Sequence, residues 1–298
     1  MELQLLPSHK IDLQKWDECI RSNSNSLIYA TSVYLNNMAD NWDGIIVDDY
    51  TAVMPVTWRK KFGIKYSYHV PFIQQLGLFP ENIETNCLHE CHKMLLQSYK
   101  YGDYFFNYKN DIKIGKPCTN YILSLASNYK SISFFYDDKM KPCLTKAESN
   151  SLEYNKADAD EVINFFIELY AERLPSVAEN NYKNFYTLCS IKEQEDNCIA
   201  RKISLGGKNY AMNLLLKDKH RIYNLMSCIT PEGRKLFAGH FLYDNIIKEF
   251  SQTGLVFDFE GSEIAGVANF FKSFGAINQP YTKIHFNMLP SFLQLFKR

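Results

Sequence analysis

Residues 221–260 read RIYNLMSCITPEGRKLFAGHFLYDNIIKEFSQTGLVFDFE, and their order decides the fold class. The β-branched and aromatic residues of RIYNLMSC mark a strand. The turn-forming ITPEGRK follows, and then Leu236, His240, Tyr243, Ile247 and Phe250 recur in steps of four and three, the period of one helix face, over about 236–250. LVFDFEG closes the stretch as a second strand. Strand, loop, helix, strand is the grammar of an α/β protein with mixed sheets.

Working outward, CIARKISL and KNYAMNLLLK read as two strands joined by Gly206-Gly207, a hairpin signal. The strand SLEYN and helices over 158–171 and 179–193 precede them; a helix through VANFFKSF and a strand near 280–286 follow. The first half uses similar elements: helices near 11–21, 31–39 and 83–99, strand runs in WDGIIVDD, TAVMPVTWRKK and IKYSYHV, then DYFFNY and TNYILSL. Between the halves, YKSISFFYDDKMKPCLTKAESN carries Pro142, which interrupts a helix passing through it. The junction is therefore placed there, with domains over 1–145 and 146–298. The repeated order is architectural, since no residue-level repeat accompanies it.

A chain of 298 residues with 46% apolar and 22% charged residues suits two folded cores. Thirty-three basic and thirty-three acidic side chains leave no long-range field to gather DNA or anionic lipid. The start lacks a positively charged segment followed by an apolar run, and no run elsewhere reaches a membrane span, so the chain reads as cytoplasmic. Eight scattered cysteines read as free thiols. In CLHECH, Cys87 and Cys91 fall in line with Leu95 on one helix face; with no second ligand pair spaced for it, no metal is expected. An aromatic content of 15% goes to strands, where core packing absorbs it.

The loop around Gly233, Arg234 and Lys235, running into a helix, reads either as an anion site or as a solvated turn. Asp258 and Glu260 alternate with Phe257 and Phe259, which places both carboxylates on one strand face about 7 Å apart. Either could take a proton from an attacking amine; the alternative is that they bond Arg221 or nearby backbone. His240 is a third candidate, although a histidine on such a stripe is more often a packed core residue. Alternation puts Arg221, Tyr223, Leu225 and Ser227 on one face and Asn224, Met226 and Cys228 on the other. Nucleophile elbows, Walker loops and GxGxxG patterns are absent.

RIYNLMSCITPEGRK with its following helix, FDFEGSEIAGVANFFKSFGA and the closing QPYTKIHFN together resemble the tandem GNAT-fold proteins related to the Fem-type peptidyltransferases. VMPVTWRKKFGIKYSYHVPFIQQLG is similar to the first domain of a bacterial subgroup of them, so the likeness spans nearly the whole chain. The resemblance implies two GNAT-like domains and an N-acyltransferase that moves an acyl or aminoacyl group to a small-molecule or peptide amine by direct attack. It implies a donor loop over 230–235, with Arg234, Gly233, Lys235, Gly239 and Ser227 toward acyl-coenzyme A, and a groove between the domains to which Tyr223 and Phe271 are assigned; Gln74 and Gln75, adjacent glutamines amid apolar residues, either line that groove or bond within the first domain. Aminoacyl-tRNA is the less favoured donor, because no charged helical hairpin of the Fem type is present. The loop departs from the family pattern: Arg234 is followed by Lys, Leu, Phe and Ala before Gly239 instead of closely spaced glycines. A GNAT-like binding protein without catalysis is the rival reading.

Overall fold

The computed structural model describes residues 1–23, 25–80 and 85–291. The strands are β1 (Leu3–Pro7), β2 (Trp42–Val47), β3 (Ala52–Lys61), β4 (Ile64–Ser67), β5 (Tyr101–Phe106), β6 (Lys116–Cys118), β7 (Tyr121–Ser124), β8 (Glu153–Lys156), β9 (Cys198–Leu205), β10 (Lys208–Lys217), β11 (Arg221–Ile229), β12 (Val256–Asp258), β13 (Ile277–Asn278) and β14 (Tyr281–Asn287). The helices are α1 (Leu13–Arg21), α2 (Ser32–Met38), α3 (Thr85–Ser98), α4 (Tyr129–Ser133), α5 (Met140–Ser149), α6 (Ala159–Tyr170), α7 (Glu179–Gln194), α8 (Pro231–Lys235), α9 (Ala238–Phe250) and α10 (Ala265–Ser273).

Two compact units result, Met1–Cys118 with Pro280–Arg298, and Thr119–Gln279. Their sheets follow one plan. The first runs β1-β2-β3-β4-β5-β14-β6 and the second β8-β9-β10-β11-β12-β7-β13. In each, four antiparallel strands lead to a single parallel pair, β4 with β5 and β11 with β12, and the last two strands are antiparallel again. The strand beside the parallel pair is exchanged. β7 follows the first unit in sequence but pairs with β12, while β14 follows the second unit but pairs with β5.

That exchange corrects the boundary near 145. Pro142 sits in the first turn of α5, where its missing N–H has no intrahelical partner to lose, so it interrupts nothing. Ile132, Tyr136, Met140 and Ala147, from α4, α5 and the turn between them, join the core of the second unit with Ile203, Leu215, Ile222 and Phe257.

Local chemistry explains the elements. Asp12 caps α1 by accepting from the N–H groups of Gln14 and Lys15 at 3.1 and 3.2 Å, and Trp16, Cys19 and Ile20 form its buried face. On α6, Ala159, Val162, Ile163 and Phe166 recur at helical spacing and are buried. Cys87, Cys91 and Leu95 line up on α3 as a fully buried stripe. No helix among the described residues is long and apolar enough to cross a membrane.

Candidate functional site

The site begins where two strands part. β11 and β12 pair only over Arg221–Tyr223 with Val256–Asp258, and β11 then runs on to Ile229 with no partner on that side among the described strands. A cleft of about 700 Å³ opens there, entirely within the second unit, walled by β11, α9, α10 and the C-terminal end of α6.

A bulge decides which β11 side chains reach it. Leu214 faces Met226 and Leu215 faces Asn224, which leaves Leu225 without an opposite residue and inverts the alternation beyond it. Asn224, Ser227 and Ile229 therefore share the cleft wall, whereas strict alternation separated Asn224 from Ser227. Asn224 anchors a buried polar chain. It accepts from the Asn213 amide, and its own Nδ2 donates to the Tyr243 hydroxyl at 2.8 Å and to the Phe259 carbonyl at 3.3 Å. Burial pushes the Tyr243 hydroxyl up to about 12, so it stays protonated.

The charged rim comes from elsewhere. Arg173, just past α6, and Arg234, in α8, are both exposed and line the cleft. The Tyr170 hydroxyl bridges the Ile229 backbone N–H and carbonyl, each at 3.2 Å, and accepts from Arg234 at 3.3 Å. No carboxylate is among the lining residues.

The 230–235 loop does not present its amides, as an anion loop there would require. The Gly233 N–H donates to the Thr230 hydroxyl at 2.9 Å, and those of Arg234, Leu236 and Phe237 go to the carbonyls of Thr230, Glu232 and Arg234. A short helix has absorbed the loop. The open amides lie one step later. Phe237 enters α9 in the left-handed conformation (φ 59°) and gives no side-chain cap, so the N–H groups of Ala238, Gly239 and His240 have no acceptor within the helix. Gly239 and His240 both line the cleft.

Gly233 has a packing role instead. A Cβ there would lie 2.4 Å from the Tyr210 carbonyl oxygen, in the backbone of β10. Gly233→Ala is expected to destabilise the second unit by about 1–3 kcal/mol, with donor affinity unchanged once folded, as denaturant unfolding and titration would show. Lys235 is exposed and off the cleft.

One further expectation is corrected, and one open alternative is decided. Tyr223 is fully buried and donates to Asp218 at 2.7 Å, so it lines no groove. Gln74 and Gln75 are buried in the first unit, where Gln75 donates to Gln74 at 2.7 Å and accepts from the Tyr108 N–H at 2.8 Å; beside them is a pocket of about 10 Å³, room for about one water. Phe271 does line the cleft.

The two carboxylates do not share a strand face. β12 ends at Asp258, and Glu260 turns into the left-handed region (φ 65°) while its N–H donates to Asp258 at 3.0 Å. Asp258 also accepts from Arg221 at 2.7 Å and from Asn120 at 3.3 Å, and Arg221 reaches on to Gln279 at 2.8 Å. Burial pushes the Asp258 carboxyl up, while Arg221 and the other donors pull it down. Glu260 is half-buried at the C-terminal end of β12, off the cleft lining, and desolvation pushes its carboxyl up to about 8. His240 lies between the rings of Phe237 and Phe270, with centroids at 5.6 and 4.9 Å, and burial lowers its pKa, so it is neutral near pH 7.

Asn224 and the placement of Tyr243 beside Ser227 escaped the sequence reading because a one-residue bulge leaves no compositional mark, and Tyr170 and Arg173 because the period of α6 does not show what its C-terminal end meets. Among the described residues no group of three or more His, Cys, Asp or Glu could hold a metal ion.

The splayed parallel pair, the open helix N-terminus and the cationic rim now have a counterpart. Residues 143–272 match the family model of the acetyltransferase (GNAT) domain. This stretch is similar to a GNAT domain. The match begins inside α5 and ends within α10, and so leaves out β7 and β13, which complete the sheet. Solved structures with the fold of the whole chain include FemX, 12% identical, with a TM-score of 0.68 over 100% of both chains. A tandem GNAT protein from the clavulanic acid biosynthesis pathway is 9% identical, with a TM-score of 0.55 over 97% of this chain and 100% of that one. The C-terminal domain of a putative lysylphosphatidylglycerol synthetase from Agrobacterium fabrum is 9% identical, with a TM-score of 0.54 over 96% and 95%. No curated protein sequence matches the chain. At these identities the likeness to solved structures is one of fold, and the chain has the tandem GNAT fold.

Proposed function

We propose that the protein is an N-acyltransferase that binds an acyl donor with an anionic head, of the acyl-coenzyme A kind, in the cleft of its GNAT domain and transfers the acyl group to an amine. The observation that carries this is the junction of α9 with the cleft. Unsatisfied N–H groups of Gly239 and His240, at the positive end of a 13-residue helix, stand beside Arg234 and Arg173 in a lining free of carboxylates. The amine nitrogen bonds to the acyl carbonyl carbon, the bond to the donor's sulfur breaks, and the amine's proton must be taken up. We assign that proton to Glu260, which stands off the cleft lining at the end of β12 and would take it from the acceptor's side, its desolvated carboxyl being a stronger base than an ordinary glutamate. Direct attack fits a site that offers orientation and a base and no activated nucleophile.

Titration calorimetry with coenzyme A tests the donor site. Arg234→Ala is expected to weaken binding about tenfold, and Arg173→Ala/Arg234→Ala about a hundredfold, since each removes a charge-assisted contact. Unchanged affinity in the double variant would remove the anion from this cleft. A small-molecule or peptide amine is the acceptor this reading implies, and an aminoacyl-tRNA donor is the alternative to coenzyme A.

A further inference from the structure

The cleft is divided by polarity. Its hydrogen-bonding groups come from the α9 N-terminus with Tyr170 and the arginine rim, and from Asn224, Ser227 and Tyr243, the last one turn further along α9. The rest of the lining is apolar, with Leu174, Ile229, Val267, Phe270 and Phe271 on the walls and Ile264 on the rim, 69% exposed; Ile229 lies against Gly239, at the anion end. Apolar surface left facing water is unfavourable in proportion to its area, and a two-carbon acyl group would cover little of it. The polar end fixes where a carbonyl would sit. The Tyr243 oxygen already accepts from Asn224, so its own proton is directed toward Ser227 and the cleft and can be donated to an acyl oxygen.

We propose that the acyl group of the donor is apolar and longer than acetyl, seated with its carbonyl at Ser227 and Tyr243 and its chain against Val267, Phe270 and Phe271. This rests on the donor reading above and names the substrate class for that cleft. Charge complementarity fixes the direction in which the donor lies. The anionic head goes to α9 and the two arginines, so the apolar walls are left to the acyl chain and not to a second anion.

Dissociation constants of coenzyme A, acetyl-coenzyme A and hexanoyl-coenzyme A, measured by calorimetry without acceptor, test this. The four methylenes separating acetyl from hexanoyl gain up to about fourfold each when fully buried, so a gain of roughly tenfold or more is expected even with partial burial. Val267→Trp, at a half-buried position, narrows the apolar wall and is expected to bring the affinity for hexanoyl-coenzyme A down to that for acetyl-coenzyme A in the same variant. Ile264→Asn gives a second, milder variant: the position is exposed and caps α10, where asparagine is favoured, so the fold is kept while rim apolarity is lost. It is expected to reduce the hexanoyl gain by a few-fold. Coenzyme A binding with no dependence on chain length overturns the acyl assignment and leaves the donor site standing. Failure of all three ligands to bind overturns both.

Discussion

Replacing Asp258 by alanine is expected to destabilise the second unit by about 3–5 kcal/mol, because it leaves the Arg221 guanidinium buried without its counter-charge. Arg221 is 4% exposed and Asp258 1%, so water cannot re-solvate the survivor. The same change removes the acceptor for the Glu260 N–H and for the Asn120 amide, and thus loosens the left-handed turn that ends β12 and its tie to β7. Arg221→Met/Asp258→Leu should recover much of the loss, since an apolar pair leaves no buried charge. Hydrogen exchange of β10 and β11 amides is the suitable measure: Trp16, Trp42 and Trp58, the three tryptophans of the chain, all lie in the first unit, so fluorescence reports on that unit instead. A loss below about 1 kcal/mol would mean that Arg221 finds water or another acceptor.

What was legible followed periodicity. The helices over 158–171 and 179–193 return as Ala159–Tyr170 and Glu179–Gln194, because their apolar residues repeat every three or four positions and need one buried face. The hairpin at Gly206-Gly207 forms with both glycines at positive φ. The fold class and the tandem GNAT architecture were readable from such runs together with the closing motifs. Three features were not, each for a physical reason. The exchange of β7 and β14 is a long-range pairing, and neither strand differs in composition from one that stays in its own unit. The bulge at Leu225 inserts one residue into a strand that still reads as alternating. Helix α8 forms because Thr230 caps it and Pro231 starts it, which consumes the amides that an anion loop at 230–235 would have needed. Arg234 and Gly239 nevertheless line the cleft, as do Ser227 and His240, while the carboxylates prove to differ in environment, one ion-paired and one desolvated.

That difference gives Glu260 a signature that separates chemistry from structure. With its carboxyl pushed from 4.5 to about 8, the native state keeps a proton that the unfolded chain releases as pH rises above 4.5. The contribution to stability is therefore complete below about pH 4.5 and lost as pH rises through 8, with a slope of at most about 1.4 kcal/mol per pH unit. Glu260→Gln, neutral at every pH, should flatten this dependence and leave the second unit more stable than the parent at pH 8 and above. As the general base the same carboxyl is active only when ionised, so turnover should climb toward pH 8 in the parent. In Glu260→Gln it should fall by about 10²–10⁴-fold and lose that limb, with coenzyme A affinity unchanged. Parallel unfolding and rate profiles from pH 5 to 9 read both effects. A flattened stability profile with turnover intact would make Glu260 a buried acid of structural consequence alone, and the proton would then have to be taken by His240, the neutral imidazole on the cleft wall.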